Sequence, residues 1–114
     1  MVLRVYGMPA CAICDNVYIL LSNASKAGRL KCVVEKKSLV PDKETTQKVC
    51  SENMVDLAFF GLYDPPAVVL VDDNGDMVWG QSKITGVNQV SVHDISENIP
   101  DVAGSSESAA MPTV

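Results

Sequence analysis

Cys11-Ala12-Ile13-Cys14 places two thiols three positions apart, directly after an apolar, strand-like run (Val2–Tyr6) and at the beginning of an amphipathic helical pattern. Thiols at this spacing can close a small disulfide ring, and the amides and dipole of a helix N-terminus favour the thiolate of the first one. A thiolate is the attacking species in thiol–disulfide exchange, and the second sulfur lies close enough to resolve the adduct. The same spacing is also half of a zinc site, so the spacing alone leaves both chemistries open.

Size and composition indicate one soluble domain in a reducing compartment. The chain has 114 residues, enough for a single core, and 47% of them are apolar. No stretch is long enough to span a bilayer, and no leader-like segment precedes the first strand. We therefore expect a cytoplasmic protein (in the host cytoplasm if a phage encodes it) with no membrane association. Four cysteines in a reducing compartment favour redox or metal chemistry over structural disulfides.

Charge is distributed unevenly along the chain. The first 48 residues carry eight Lys or Arg against four Asp or Glu, whereas the rest carry only Lys83 against ten acids. Scattered solvent-facing charge is the usual cause of such a difference, although it can also steer the approach of a partner. No basic stripe with interleaved aromatic residues is present, so we expect no nucleic-acid binding.

The other candidate metal ligands are isolated from one another. Cys32 falls in a strand-like run, Cys50 falls on the apolar side of a predicted helix, and His93 is the single histidine. None has the spacing of a zinc ligand relative to another, so we expect no metal site. Buried packing is the usual role of such cysteines.

The apolar pattern predicts the order β-α-β-α-β-β-α. The first half of the chain is predicted to contain a strand at Val2–Tyr6, a helix from Cys14 ended by Gly28, and a strand at Leu30–Lys36 whose centre, Cys32-Val33-Val34, is buried. A second helix is predicted to start at Pro41-Asp42 and to bury Val49, Cys50, Met54 and Leu57. Two strands, Ala67–Val71 and Asp76–Gly80, are predicted to be joined by a hairpin at Asn74-Gly75, and a weak helix is predicted at Val87–Ile99. The first two strands should be parallel and the last two antiparallel. We expect one α/β domain over residues 1–99 and a mobile tail over 100–114.

Pro66 opens the third predicted strand, where a proline removes no internal ladder donor. A strand, a CxxC turn, a helix, a proline before the third strand and an Asn-Gly hairpin together resemble the thioredoxin superfamily. The segment from Val5 to Asn16 is similar to the opening of glutaredoxins, particularly the phage type. The resemblance covers roughly residues 2–99 and implies a mixed four-stranded sheet with helices on both faces.

The resemblance also implies a site around the cysteines. The Pro65–Pro66 bond would be cis and would face the Cys11 sulfur, and the segment Gly80-Gln81-Ser82 would correspond to the part of glutaredoxins that holds the glutathione carboxylate. Pro65 has no N–H to offer a substrate, and only Gly80 of that glutathione segment matches the family. Both departures weaken the case for glutathione as the preferred partner.

Two classes of function follow. The first is a monomeric dithiol–disulfide oxidoreductase with catalytic Cys11 and Cys14 and with Pro65, Pro66, Gly80, Gln81 and Ser82 at the substrate. It would reduce protein or glutathione mixed disulfides, with ribonucleotide reductase among the candidate acceptors. It would hold no bound cofactor and would draw electrons from glutathione or from a thioredoxin-reductase-type flavoprotein.

The second class of function is a binding module, either a dimer that shares an iron–sulfur centre through Cys11 and glutathione or an adaptor that docks through Ala58–Asp64. Phe59, Phe60 and Tyr63 in that segment fit either a docking rim or a core contact.

Overall fold

The computed structural model describes residues 1–100, so the predicted tail over 100–114 lies outside the described residues except for its first position. The elements are β1 (Val2–Gly7), α1 (Ala12–Lys26), β2 (Val33–Ser38), α2 (Gln47–Phe59), β3 (Ala67–Val71), β4 (Met77–Gln81), a 3-10 turn (Val87–Gln89) and α3 (Val92–Glu97). The four strands form one sheet in the order β2-β1-β3-β4. β1 runs parallel to β2 and antiparallel to β3, and β3 and β4 form an antiparallel hairpin.

Each face of the sheet is covered by helices. Successive residues of a strand point to opposite faces, so β1 contributes Leu3 and Val5 to one core and Tyr6 to the other. The first core also contains residues of α1 and α3, and the second contains Leu57 of α2. All five residues of β3 are buried, as expected for a strand covered on both sides. This α/β sandwich confirms the predicted mixed sheet with helices on both faces.

The first helix follows the predicted pattern closely. α1 buries Cys14, Val17, Leu21 and Ala24 at helical spacing. Cys11 is its N-cap, and Gly28 follows its end with φ +79°, a conformation that favours glycine. Because the buried stripe and the glycine that follows it are both local signals, the sequence alone was enough to place this helix.

The prediction of a buried second strand was wrong. β2 begins three residues later than predicted, and Val33 has an exposed fraction of 61%. β2 is an edge strand of the sheet and forms its strand pairing with β1 alone. Its β-branched run resembles that of a central strand, but nothing covers it fully at the sheet edge.

The second helix also differs from the prediction. Pro41-Asp42 forms a turn instead of a helix start, because the Asp42 carboxylate accepts the N–H groups of Glu44 and Thr45 at 2.8 and 2.9 Å. α2 begins after its N-cap, Thr46.

The burial of α2 also differs from the prediction. The buried residues of α2 are Cys50, Asn53 and Leu57, whereas Val49 and Met54, which were predicted to be buried, are exposed. Asn53 fits the core because its side-chain amide donates to the Ser38 carbonyl at 2.8 Å.

The last predicted helix is broken into two pieces. The 3-10 turn and α3 are separated at Ser91, whose hydroxyl accepts the Asp94 N–H at 3.1 Å. A serine cap in the middle of a β-branched stretch starts a new helix there. Ile95 anchors α3 in the first core.

Candidate active site

The turn between β1 and α1 carries the two cysteines that the sequence singled out. β1 ends at Gly7, and an exposed turn leads to Cys11. Ala10 in this turn has φ +57°, which is unusual for a residue with a side chain. Cys11 and Cys14 form a disulfide across the first turn of α1, with their Cα atoms 5.3 Å apart. The pair therefore exists as the small ring that its spacing predicts.

The two sulfurs differ in their access to solvent. Cys14 has an exposed fraction of 1%, whereas Cys11 is only half-buried. Gly7 backs Cys14 closely, because a Cβ at Gly7 would lie 2.8 Å from the Cys14 Sγ. Of the two sulfurs, Cys11 is the one that an incoming disulfide can reach.

The helix N-terminus acts directly on Cys11. The Cys14 backbone N–H donates to the Cys11 Sγ at 3.2 Å, so Cys11 caps α1 with its sulfur. The cap of a 15-residue helix is the positive end of its dipole. In the reduced protein both effects favour the Cys11 thiolate, the form that attacks disulfides.

An ion pair lies beside the same helical turn. The Lys36 ammonium on β2 is 3.1 Å from an Asp15 carboxylate oxygen and 5.7 Å from the centre of the Tyr18 ring. From the sequence, Asp15 could either favour the helix N-terminus or disfavour a nearby thiolate. The structure adds a counter-charge that no local pattern predicts, because Lys36 lies 21 positions away in the chain.

The proline loop contains the cis bond that the resemblance implies. The Pro65–Pro66 bond is cis, and Pro66 is buried directly before β3. β3 is antiparallel to β1, and Tyr6 is paired with Ala67. Pro66 therefore lies at the end of the sheet from which the chain enters the cysteine turn. The fold brings the two predicted parts of the site to one end of the molecule.

Backbone hydrogen bonds tie this loop to the segment after β4. The Lys83 N–H donates to the Asp64 carbonyl at 2.8 Å, and the Ile84 N–H donates to the Pro66 carbonyl at 3.4 Å. Pro65, between them, has no N–H. Main-chain pairing with a substrate at Pro65 is therefore limited to its carbonyl oxygen.

The predicted glutathione segment is divided along β4. Gly80 pairs with Val69 inside the sheet, and a Cβ there would meet Met77 and Leu62 on the α2 side. Gln81 pairs with Val68, and its side-chain amide donates to the Gln89 carbonyl at 3.0 Å. Ser82 follows and is half-buried. Of the three, Ser82 lies nearest in the chain to the segment bonded to the proline loop.

An apolar groove of about 330 Å³ adjoins the site. Met8 of the cysteine turn and Pro65 of the proline loop form part of its wall. The other lining residues come from α2 and the loops on that side of the sheet: Leu39, Val40, Met54, Leu57, Ala58, Leu62 and Tyr63. Sequence reasoning missed most of this lining, because Met54 was assigned to the core and Leu39 and Val40 carry no motif. Their apolar character was the available signal.

The aromatic residues before the prolines have different environments. Phe59 and Tyr63 have exposed fractions of 81% and 72%, whereas Phe60 packs against the second core. The rings of Phe59 and Phe60 meet edge to face with centroids 5.8 Å apart. Phe60 is thus the core contact, and Phe59 and Tyr63 are available as a docking rim.

Two further properties concern residues 1–100 alone. Within that range, no three His, Cys, Asp or Glu side chains are grouped so as to hold a metal ion. In the same range, no helix is both long enough and apolar enough to cross a membrane.

Comparison with known proteins places the chain by its fold. No family model and no curated protein matches the sequence. Its structure is similar to that of thioredoxin 1 from the thermophilic eubacterium Thermosipho africanus, with a TM-score of 0.58 and 13% identity over 85% of this chain and 92% of that chain. The glutaredoxin-type assignment is not tested by this likeness. With its mixed four-stranded sheet and its CxxC disulfide after β1, the chain has a thioredoxin-like fold.

Proposed function

We propose that the protein is a dithiol–disulfide oxidoreductase that acts through Cys11 and Cys14. The observation that carries this proposal is the asymmetry of the disulfide at the N-terminus of α1. Cys11 is reachable and receives the helix amide, whereas Cys14 is buried directly behind it. Such a division suits attack by the accessible thiol and resolution by the protected one, because the rate of exchange depends on access to the sulfur.

The reaction begins with the reduced pair. The Cys11 thiolate attacks one sulfur of a substrate disulfide, and the other substrate sulfur leaves as a thiolate and takes up a proton. Cys14 then loses its proton and attacks the Cys11 Sγ, which releases the second substrate thiol and leaves the Cys11–Cys14 disulfide. Two electrons have passed to the substrate. An external dithiol, or two molecules of a thiol such as glutathione, returns them.

The favoured substrate class is a polypeptide disulfide. The groove between the cysteine turn and the proline loop is lined by apolar side chains, including Met8 and Tyr63, which suits an apolar side chain of the substrate. Pro65 removes one backbone donor that an extended substrate would otherwise use. Glutathione has no apolar side chain to fill the groove, so we propose it as an electron donor, with a thioredoxin-reductase-type flavoprotein as the other candidate. Ribonucleotide reductase belongs to the favoured class.

The central experiment measures reduction of insulin by the dithiol form. Wild-type protein should reduce insulin catalytically, Cys11→Ser should be inactive, and Cys14→Ser should accumulate a mixed disulfide visible by mass spectrometry. Full activity in Cys11→Ser would reject the proposal. Adding oxidised protein to glutathione, glutathione reductase and NADPH, or to thioredoxin reductase and NADPH, identifies the donor.

A second experiment tests the substrate class. Tyr63→Ser should raise KM for insulin roughly threefold or more, because apolar area in the groove is lost, without changing reduction of hydroxyethyl disulfide. Ile19→Ser is the matched control, since Ile19 is an apolar residue of α1 that is 52% exposed and does not line the groove. An equal effect of both variants would contradict a role for the groove.

The second candidate function is a binding module, which the exposure of Phe59 favours. Such a module would retain its partner in the Cys11→Ser, Cys14→Ser double variant and lose it in Phe59→Ser. A brown dimer after anaerobic purification would instead support the iron–sulfur version of this class. For the oxidoreductase function, we propose that the protein is a monomer and lies in the cytoplasm.

A further inference from the structure

We infer that Lys36 is a positioning residue for Cys11. By neutralising Asp15, Lys36 favours the thiolate form of Cys11 near neutral pH. The inference rests on the proposed function, since it concerns the reactivity of the same thiol. Lys36 lies on β2, outside the CxxC motif.

Asp15 lies on the same side of α1 as Cys11. The Asp15 N–H donates to the Cys11 carbonyl at 3.1 Å, which is the bond between positions i and i+4 of a helix. Residues with this spacing are neighbours on the helix surface. A carboxylate there disfavours a second negative charge on the Cys11 sulfur.

Lys36 reaches this carboxylate from the sheet. It is paired with Val5 in the parallel ladder of β1 and β2, and its ammonium is 3.1 Å from Asp15. Its side chain also lines a small cleft of about 160 Å³ with Gly7, Met8 and Pro9, the residues that lead into the cysteine turn. Lys36 therefore contacts the first turn of α1 through Asp15 and shares a cleft with the residues that precede Cys11.

The other charged groups around the cysteine turn either have hydrogen-bond or ion-pair partners of their own or line the same cleft as Lys36. Asp42 is held by the N–H groups of Glu44 and Thr45, and the Glu44 side chain is also part of the cleft wall. On the proline-loop side, the Asp64 carboxylate is 3.7 Å from the Lys83 ammonium. The nearby titratable groups of α1 are Cys14 and Tyr18, and Tyr18 lies under the Lys36 ammonium. Asp15 carries the carboxylate of α1 that is nearest to Cys11, and Lys36 is the cation paired with it.

The test measures the pH dependence of iodoacetamide alkylation at Cys11 in fully reduced protein, with the modified residue located by mass spectrometry. Lys36→Met should raise the Cys11 pKa and slow alkylation at pH 6.5 roughly two- to fivefold, a modest factor because both members of the pair are about half exposed. Asp15→Asn combined with Lys36→Met should restore the wild-type rate. Lys36→Arg should preserve it, and 1 M salt should reduce the difference between wild type and Lys36→Met.

Lys37→Met is the matched control. Lys37 is the next residue of β2, is paired with Glu35 at 3.7 Å, and points to the opposite face of the sheet. It should leave the alkylation profile unchanged. An unchanged Cys11 profile in Lys36→Met, or no recovery in the double variant, would overturn the inference.

These failures are distinct from failure of the proposed function. If Cys11→Ser is inactive with insulin but Lys36→Met has a wild-type alkylation profile, the oxidoreductase stands and the role of Lys36 is wrong. If Cys11→Ser retains insulin reduction, the proposed function itself is wrong. Denaturant midpoints of the reduced variants check that the folded state is intact in each case.

Discussion

Gly7 lies so close to Cys14 that a Cβ at position 7 would sit 2.8 Å from both the Cβ and the Sγ of that cysteine. The end of β1 is thus packed directly against the buried sulfur of the disulfide. Cys14 is in the first turn of α1, so this contact fixes the position of the helix relative to the strand.

Gly7→Ala should lower the free energy of unfolding of the oxidised protein by about 1–3 kcal/mol, because Cys14 and the backbone have little room to move. Denaturant titration measures this loss. Gly86→Ala is the control, since its Cβ would meet the end of the exposed Asn88 side chain at 2.7 Å, which can rotate away. It should change stability by less than about 0.5 kcal/mol. Equal stability of Gly7→Ala and wild type would contradict the close packing.

The positive φ of Ala10 predicts a ranked series of stabilities. A left-handed conformation costs an L-residue about 1–2 kcal/mol, and glycine avoids that cost but loses about 0.5–1 kcal/mol through its freer unfolded chain. Ala10→Gly should therefore be up to about 1.5 kcal/mol more stable than wild type, and Ala10→Val should be less stable than both. Thermal or denaturant unfolding of the three proteins gives the ranking. A Val variant as stable as wild type would be inconsistent with the turn geometry.

The two remaining cysteines should react with thiol reagents at different rates. Burial raises the pKa of the Cys32 thiol, so less of it is thiolate at any given pH, and Cys50 has an exposed fraction of only 1%. In the oxidised native protein, Ellman's reagent should react slowly with Cys32 and should reach Cys50 only on unfolding. Cys32→Ser should abolish the slow phase and leave one thiol in denaturant. Rapid release of two equivalents from the native protein would argue against this arrangement.

Tyr6 makes stability depend on alkaline pH. Burial raises the pKa of its hydroxyl above the ordinary 10.0, even though the Arg4 guanidinium donates to it at 3.3 Å. Above pH 10 the unfolded chain therefore releases this proton more readily than the folded protein does. The contribution is present below pH 10 and is lost as pH rises through the folded pKa.

Urea unfolding of wild type and Tyr6→Phe at pH 8, 9.5 and 11 measures this effect. Tyr6→Phe should be less stable at pH 8 by about 1 kcal/mol, because the Arg4 hydrogen bond is lost. Its decline in stability between pH 9.5 and 11 should be shallower than that of wild type. Parallel curves for the two proteins would show that Tyr6 does not titrate differently in the two states.

The extent of sequence prediction differs from element to element. α1 and β3 were predicted well, because each has a continuous apolar pattern bounded by a strong local signal. β2 and α2 were assigned the wrong burial. A β-branched run has the same composition in a central and in an outer strand, and the phase of a helix with few apolar residues is set by what it packs against.

The sequence by itself determined the order of the elements and the positions of three local features: the CxxC pair at a strand–helix boundary, the proline before the third strand and the hairpin at Asn74-Gly75. These are local features, fixed by backbone geometry over a few neighbouring residues. The tertiary structure decided that Cys14 is buried against Gly7 while Cys11 remains reachable, that β2 is an outer strand, and that Lys36 is paired with Asp15 across 21 positions. Burial and Coulomb interactions depend on which distant segments are brought together, and only the packed fold sets those distances.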